Sequence, residues 1–170
     1  LSAEFMLVNA LRRAKELVNA GKEIWSTPSL GFFLEHNFNQ RTFFEHPDAL
    51  KHFLALDDQD VLSSLKVWQH SDDFVLRALS TKLVQRELFK IQIFNEPPSE
   101  TLLEERIKAV ALKNNLSDHE AQYFVMTGEA ANRAYSQSGD IIWIKLKNGR
   151  VCNAGEVSEH LSLAPITREV

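Results

Sequence analysis

The chain has 170 residues, of which 44% are hydrophobic and 25% are charged, and its formal net charge at pH 7 is −4. This composition excludes a disordered or low-complexity chain, and the length is sufficient for one sizeable hydrophobic core or two small ones. The negative balance argues against nucleic-acid binding by the whole surface, although it leaves room for a local basic pocket.

The first part of the chain predicts three helices. Apolar residues from Phe5 to Val18 recur at helical spacing, and Gly21 marks the end of that helix. The second helix begins at Thr27-Pro28, because proline fits the first helical turn. The third covers residues 43–56 and is interrupted near Pro47, since proline is tolerated only at the start of a helix.

Residues 57–90 predict a hairpin of two amphipathic helices that each begin with acidic residues. Carboxylates at a helix start accept backbone N–H groups, so the aspartates at 57, 58, 60, 72 and 73 are assigned to capping rather than to metal binding. Asp73 and Arg77 are spaced for an i, i+4 ion pair. The predicted buried faces are Val61, Leu62, Leu65 and Trp68 in the first helix, and Val75, Leu76, Leu79 and Leu83 in the second.

After Lys90 the pattern changes to strands around one helix. Strand-like segments cover residues 91–94, 122–127 and 141–146, and residues 100–115 form a helix. Asn148-Gly149 is a strong hairpin signal that returns the chain into a strand at Val151, and residues 156–161 close as a short helix. The sequence therefore predicts an α+β fold: a mainly helical region over 1–90, then a small β-α-β-β subdomain with a mixed or antiparallel sheet over 91–170.

Three basic residues follow one another towards the end of the helical hairpin. At helical spacing, Arg86 projects between Val75 and Leu79, inside the apolar stripe. A cation there either pairs with a carboxylate or carbonyl group, which is a structural role, or binds an anionic ligand. Because guanidinium and ammonium groups suit phosphate oxygens, we treat Lys82, Arg86 and Lys90 as candidate phosphate-binding residues, together called the basic stripe.

No catalytic residue and no metal ligand is predicted. None of the six histidines is followed by aspartate, and the spacing of His46 and His52 favours structural roles. A nucleotide-binding glycine loop, a nucleophile elbow and a zinc-protease motif are also missing. Cys152 is the one cysteine, which excludes a disulfide framework and favours a strand residue over a nucleophile.

The sequence also leads to expectations about the cellular compartment and about whether the chain is part of a longer polypeptide. No apolar run approaches the roughly 18 residues of a membrane-spanning helix, and no signal peptide opens the chain. We therefore expect a cytoplasmic protein without membrane contact. The chain begins at Leu1 without a methionine and stops at Val170 without a terminating signal, so we expect a piece of a longer polypeptide.

The order of the motifs resembles one known family. An LRRAK helix, an aromatic-rich connector, a DDxD helix, an SDD helix, RELFK and a strand follow one another. This series resembles the region beyond the catalytic core of HD-superfamily phosphohydrolases, in the branch that includes deoxynucleoside triphosphate triphosphohydrolases. The resemblance implies a metal-dependent parent enzyme that acts on nucleotides. Its defining His-Asp dipeptide is absent from this chain, so hydrolysis would belong to the parent.

The resemblance also carries an expectation for the basic stripe. In relatives regulated by nucleotides, the element equivalent to RELFK contacts an effector phosphate. This implies a contact for Arg86 and Lys90, whereas Lys82 joins them only through helical geometry. We expect a C-terminal structural and oligomerisation region with a nucleotide effector, no cofactor of its own, and a divalent metal in the parent. The alternative is a non-catalytic interaction or small-ligand regulatory module.

Overall fold

The computed structural model of the chain describes residues 2–94, 96–128 and 143–153. The chain divides into two compact units, Leu1–Gly128 and Glu129–Val170. The helix after Lys90 therefore belongs to the first unit, whereas the change of sequence pattern suggested a boundary between residues 90 and 91.

The first unit is built from helices, and none in the described part of the chain is long and apolar enough to cross a membrane. The predicted interruption near Pro47 is confirmed, because two short helices lie on either side of it. The elements are α1 (Ser2–Asn19), α2 (Pro28–Glu35), α3 (Gln40–Glu45), α4 (Ala49–Ala55), α5 (Asp58–Trp68), α6 (Phe74–Gln85), α7 (Glu100–Asn114), α8 (Asp118–Ala121) and a 3-10 helix, Gln122–Phe124.

Of the five aspartates assigned to capping, Asp57, Asp60 and Asp73 act as caps, whereas the side chains of Asp58 and Asp72 make no hydrogen bond to a described residue. Asp57 accepts hydrogen bonds from the backbone N–H groups of Gln59 and Asp60, and the Asp60 carboxylate accepts one from the Asp57 N–H in return. The Asp73 carboxylate accepts from the Leu76 N–H at 2.8 Å. These bonds satisfy N–H groups that have no partner inside the helix, so they fix where each helix begins.

The core lies between α1, α2, α5 and α6. Helix α6 packs against both α1 and α5, and α2 packs on α1. Trp68 is 2% exposed, and its indole N–H donates to the Trp25 carbonyl at 2.7 Å, so the ring is buried without an unpaired donor. The buried cluster comprises Ala10, Ala14, Leu30, Leu34, Leu65, Trp68, Val75, Leu76 and Leu79.

Within the second unit, the described residues, 143–153, form a β-hairpin. Strands β1 (Trp143–Lys145) and β2 (Val151–Asn153) pair antiparallel, with Ile144 opposite Cys152. The turn contains Asn148-Gly149, and Gly149 has a φ of 84°, a conformation that glycine adopts without steric cost. The predicted hairpin is therefore confirmed, and Cys152 is a buried strand residue as expected.

The larger β-α-β-β unit is not confirmed. The helix predicted over 100–115 forms as α7, but residues 91–94 form no strand within the described chain. The strand predicted over 122–127 is wrong, because Gln122–Phe124 continues from α8 as a 3-10 helix. Apolar and β-branched residues favour a strand only where a partner strand is within reach. The short helix predicted over 156–161 lies outside the described residues.

Candidate functional site

The structure places Arg86 at the end of α6 rather than on its buried face. Helix α6 ends at Gln85, and Arg86 caps it with a left-handed φ of 60°. Its side chain is exposed, while Val75 and Leu79 are fully buried without it. The prediction that Arg86 projects between these two residues is therefore wrong, because the helical spacing on which it rests stops one residue earlier. A role in phosphate binding stays a prediction.

The other two members of the basic stripe lie on either side of this cap. Lys82 is in the last turn of α6, and its Nζ lies 3.5 Å from a carboxylate oxygen of Glu87. Lys90 is exposed in the segment after the helix. Within the described residues, the side chains of Arg86 and Lys90 make no hydrogen bond or salt bridge. The stripe is therefore accessible to an anion, but no described residue holds these two side chains in place.

A different arginine, Arg13, is the buried cation of the helical unit. It is 8% exposed and forms a two-pronged pair with Asp73, with Nε 3.1 Å from Oδ1 and Nη2 2.6 Å from Oδ2. Such fork geometry is the strongest form of ion pair between these groups. The ion pair predicted between Asp73 and Arg77 does not form, because Asp73 is engaged by Arg13 and Arg77 donates to the carbonyls of Ser71 and Asp72.

Further polar side chains extend the Arg13–Asp73 pair into a network. Arg13 Nη1 donates to Glu16 at 2.8 Å, and the Tyr123 hydroxyl donates to the same carboxylate oxygen at 2.7 Å. Glu120 lies 3.6 Å from Arg13. The Arg13 guanidinium also lies 5.7 Å from the centre of the Tyr123 ring, within range of a cation–π contact. We call these five residues the Arg13 network, and they join α1, α6, α8 and the 3-10 helix.

The protonation states of the network follow from these contacts. The hydrogen bonds that Arg13 donates to Asp73 keep the Arg13 pKa above its ordinary value, although burial opposes this. Burial would raise the pKa of Asp73 and of Glu16, but hydrogen bonds from Arg13, and from Tyr123 to Glu16, outweigh burial and lower both. Burial and the bond to Glu16 raise the pKa of Tyr123 to about 12. The charge of Arg13 is thus compensated by the carboxylates around it, so this buried cation needs no anionic ligand.

An open groove of about 510 Å³ lies beside the start of α6. Its walls carry both signs of charge, since Lys22 faces the same space as Asp72 and Asp73. Its apolar lining comprises Leu17, Ile24, Trp25, Val67 and Trp68. The groove lacks the enclosed apolar shape of a typical small-molecule site, so it does not identify a ligand.

Three histidines of the helical unit, His36, His46 and His52, belong to an aromatic cluster around Phe32. The rings of His36 and His52 stack on Phe32 at 4.5 and 4.2 Å between centres, and the His46 ring meets Phe32 edge-on at 5.2 Å. Across the described residues, no group of three histidine, cysteine or carboxylate side chains is placed to hold a metal ion.

Comparison with known proteins finds a phosphohydrolase. No protein-family model matches the chain. The chain is 36% identical to a phosphohydrolase of Bacteroides thetaiotaomicron, and the two structures superpose with a TM-score of 0.79 over 94% of this chain. It is also 29% identical, over 94 residues or 55% of its length, to the uncharacterized protein YwfO of Bacillus subtilis. The fold is thus related to that of part of a phosphohydrolase.

Both of these proteins are longer than the chain. It spans 40% of the Bacteroides phosphohydrolase chain and 20% of YwfO. The match therefore concerns one region of each protein, and it assigns this chain the fold of that region rather than a reaction.

Proposed function

We propose that this chain is the C-terminal helical region of a metal-dependent HD-type phosphohydrolase that acts on nucleotides. In the parent protein it packs beside the catalytic core, takes part in a homo-oligomer in the cytoplasm, and senses a nucleotide through the basic stripe. Metal and catalytic residues belong to the parent, since no histidine of this chain is followed by aspartate.

The likeness to the Bacteroides phosphohydrolase carries this proposal. Agreement over 94% of the chain at 36% identity is too extensive for a shared helical motif alone. The order of motifs from LRRAK to RELFK adds independent support for the HD branch. The direct test is to assay the complete gene product against a panel of deoxynucleoside triphosphates with Mg²⁺ or Mn²⁺. Absence of phosphate release from every nucleotide would contradict the enzymatic part.

Nucleotide sensing is supported by the accessibility and charge of the basic stripe. Arg86 is exposed at the end of α6, and Lys90 is exposed four residues further on. Exposed cationic side chains attract phosphate groups by charge. A bound nucleotide would fix the conformations of the Arg86 and Lys90 side chains.

The structure decides which variant tests this role. Alanine at position 86 would be strained at a φ of 60°, whereas glycine adopts this conformation freely and is the usual residue at such a helix end. We therefore expect Arg86→Gly to fold at least as well as the wild type, yet to bind deoxynucleoside triphosphates about tenfold more weakly in isothermal titration calorimetry. Lys90→Ala should weaken binding in the same direction.

Arg41 provides the matched control. It is an exposed arginine, 85% accessible, on helix α3, where it pairs with Glu45. Arg41→Ala removes the same charge from the whole molecule without touching the basic stripe. Equal binding by the wild type, Arg86→Gly and Arg41→Ala would reject the nucleotide site, while leaving the phosphohydrolase proposal standing.

A second function, a non-catalytic interaction module, is favoured by the apolar surface of α3 and α4. The large side chains there are widely exposed: Phe44 by 76%, Leu50 by 55%, Phe53 by 57% and Leu54 by 75%. Apolar side chains grouped in this way commonly mark contact with another protein or domain. This function would be preferred if the complete gene product lacked turnover and the chain bound no nucleotide.

A further inference from the structure

The segment between α6 and α7 has the composition of a strand but is unpaired among the described residues. It runs from Leu88 to Phe94 and reads LFKIQIF, rich in the β-branched and aromatic residues that favour strands. Residues 90–94 make no backbone hydrogen bond to another described residue. Leu88 is 46%, Ile91 54%, Ile93 83% and Phe94 43% exposed. We call residues 88–94 the linker segment.

We propose that the linker segment pairs with the same segment of a second copy of this chain, as two antiparallel strands around a two-fold axis at Ile91. This inference rests on the proposed homo-oligomer and names the surface that forms it. Unpaired strand edges bind further strands because their N–H and C=O groups and their apolar side chains are satisfied together.

The anchoring of Phe89 indicates which edge of the segment is free. The Phe89 N–H points to the Met6 sulfur at 3.4 Å, and its carbonyl accepts from the Ser2 hydroxyl at 2.9 Å, so both groups face α1 of the same chain. In strand geometry, backbone groups alternate between the two edges from one residue to the next. The groups of Leu88, Lys90, Gln92 and Phe94 therefore point away from α1, towards a partner.

The sequence of the segment is complementary to itself in one antiparallel register. When Ile91 lies opposite Ile91 of the second copy, Lys90 faces Gln92 and Phe89 faces Ile93. Leu88 then faces Phe94. Moving the centre to Lys90 places two like charges opposite each other, and moving it to Gln92 places Lys90 against Phe94.

This register makes a specific geometric prediction. Because Phe89 turns its backbone groups towards α1, Ile91 does so too, and the Ile91 pair lies between the hydrogen-bonded pairs. Such directly opposed residues have Cα atoms about 4.5 Å apart, within the range of a disulfide. Cysteine at position 91 should therefore cross-link two copies, whereas cysteine at position 93 faces Phe89 rather than itself.

Cross-linking of two single-cysteine variants tests the register. Cys152 is the one natural cysteine and is buried, so Ile91→Cys and Ile93→Cys are each made together with Cys152→Ser. We expect mild oxidation to give several-fold more disulfide-linked dimer for Ile91→Cys, although position 93 is the more exposed of the two. Equal yields at both positions would overturn the proposed pairing.

Sedimentation of variants with all cysteines unchanged provides the second measurement. Ile91→Asp should raise the dissociation constant of the oligomer about tenfold or more, because two carboxylates would meet at the axis. Leu112→Asp is the matched control, since Leu112 is 88% exposed on α7, outside the segment.

The outcomes distinguish failure of the proposed homo-oligomer from failure of the linker-segment interface. A wild-type chain that is monomeric at every concentration overturns both the oligomer and the linker-segment interface. An oligomer that Ile91→Asp leaves unchanged overturns this interface alone and requires another surface.

Discussion

Arg13 is the residue on which the polar part of the helical unit depends. Its cation is buried in α1 and is neutralised by Asp73 at the start of α6, with Glu16 and Glu120 close by. Asp73 has two roles, because the same carboxylate that binds Arg13 also caps α6. One side chain therefore fixes both where α6 begins and how it is placed against α1.

Asp73→Asn separates these two roles. Asparagine keeps an oxygen that can accept from the Leu76 N–H, but it removes the charge that neutralises Arg13. We expect the free energy of unfolding to fall by about 2 kcal/mol, since Glu16 and Glu120 still compensate part of the cation. Urea denaturation measures this. Asp72→Asn, at the exposed neighbouring position, should change it by less than about 0.5 kcal/mol, and equal effects of both changes would contradict the role of the pair.

Tyr123 gives the network a dependence on alkaline pH. Its pKa is raised from 10.0 to about 12 in the folded protein, so folding favours the protonated hydroxyl. The stabilisation is fully present below pH 10 and is lost as the pH rises through 12. The wild type should therefore lose more stability over this range than Tyr123→Phe, measured by urea denaturation at each pH. Parallel curves for the two proteins would show that Tyr123 does not contribute.

The arginine that is buried in the helical unit is Arg13, not Arg86 as the helical spacing predicts. The sequence predicts an arginine within an apolar helical stripe at Arg86, whereas the structure has such an arginine at Arg13, between buried Ala10 and Ala14. The spacing of Arg13 in α1 was visible in the sequence. Its partner was not, because Asp73 lies 60 residues away and such pairing depends on how helices pack.

Among the elements, α5 begins with a reciprocal capping box. Asp57 and Asp60 bond reciprocally to each other's backbone, and they cap a helix that buries Leu65 and Trp68. The cap uses only residues close in sequence, which is why it could be predicted.

Asp57→Ala should lower the free energy of unfolding by about 1 kcal/mol, the usual cost of losing an N-terminal cap. Asp58→Ala is the control, because Asp58 is exposed in the same first turn and its side chain makes no bond to the described backbone. Thermal unfolding of both variants measures the difference. A loss for Asp58→Ala as large as for Asp57→Ala would assign the effect to charge near the helix end rather than to capping.

Elements that need distant partners were predicted less well. Helices α1 to α7 follow from local spacing, caps and prolines, and the hairpin follows from Asn148-Gly149. The strands expected at 91–94 and 122–127 had suitable residues, but a strand exists only when another lies beside it. At 122–124 the chain continues a helical turn from α8 instead, which places Tyr123 against Glu16.

At the scale of the whole molecule, the two units contribute unequally to what is known of function. The helical unit contains the buried cluster, the Arg13 network and the basic stripe, and the second unit is described by one hairpin. The order of the motifs suggested a phosphohydrolase relative, which the Bacteroides structure supports at the level of fold. The chain spans 40% of that phosphohydrolase, and the likeness gives a fold without identifying a substrate or a regulator.

The three tryptophans give the protein a built-in optical reporter. The indole of Trp68 is enclosed in the core, whereas those of Trp25 and Trp143 are 51% and 63% exposed. Iodide should therefore quench part of the emission of the native protein and leave a blue-shifted remainder from Trp68. Replacing Trp68 with phenylalanine should abolish that remainder. In the wild type, the red shift of the Trp68 emission during denaturation would follow the opening of the interface between α5 and the loop before α2.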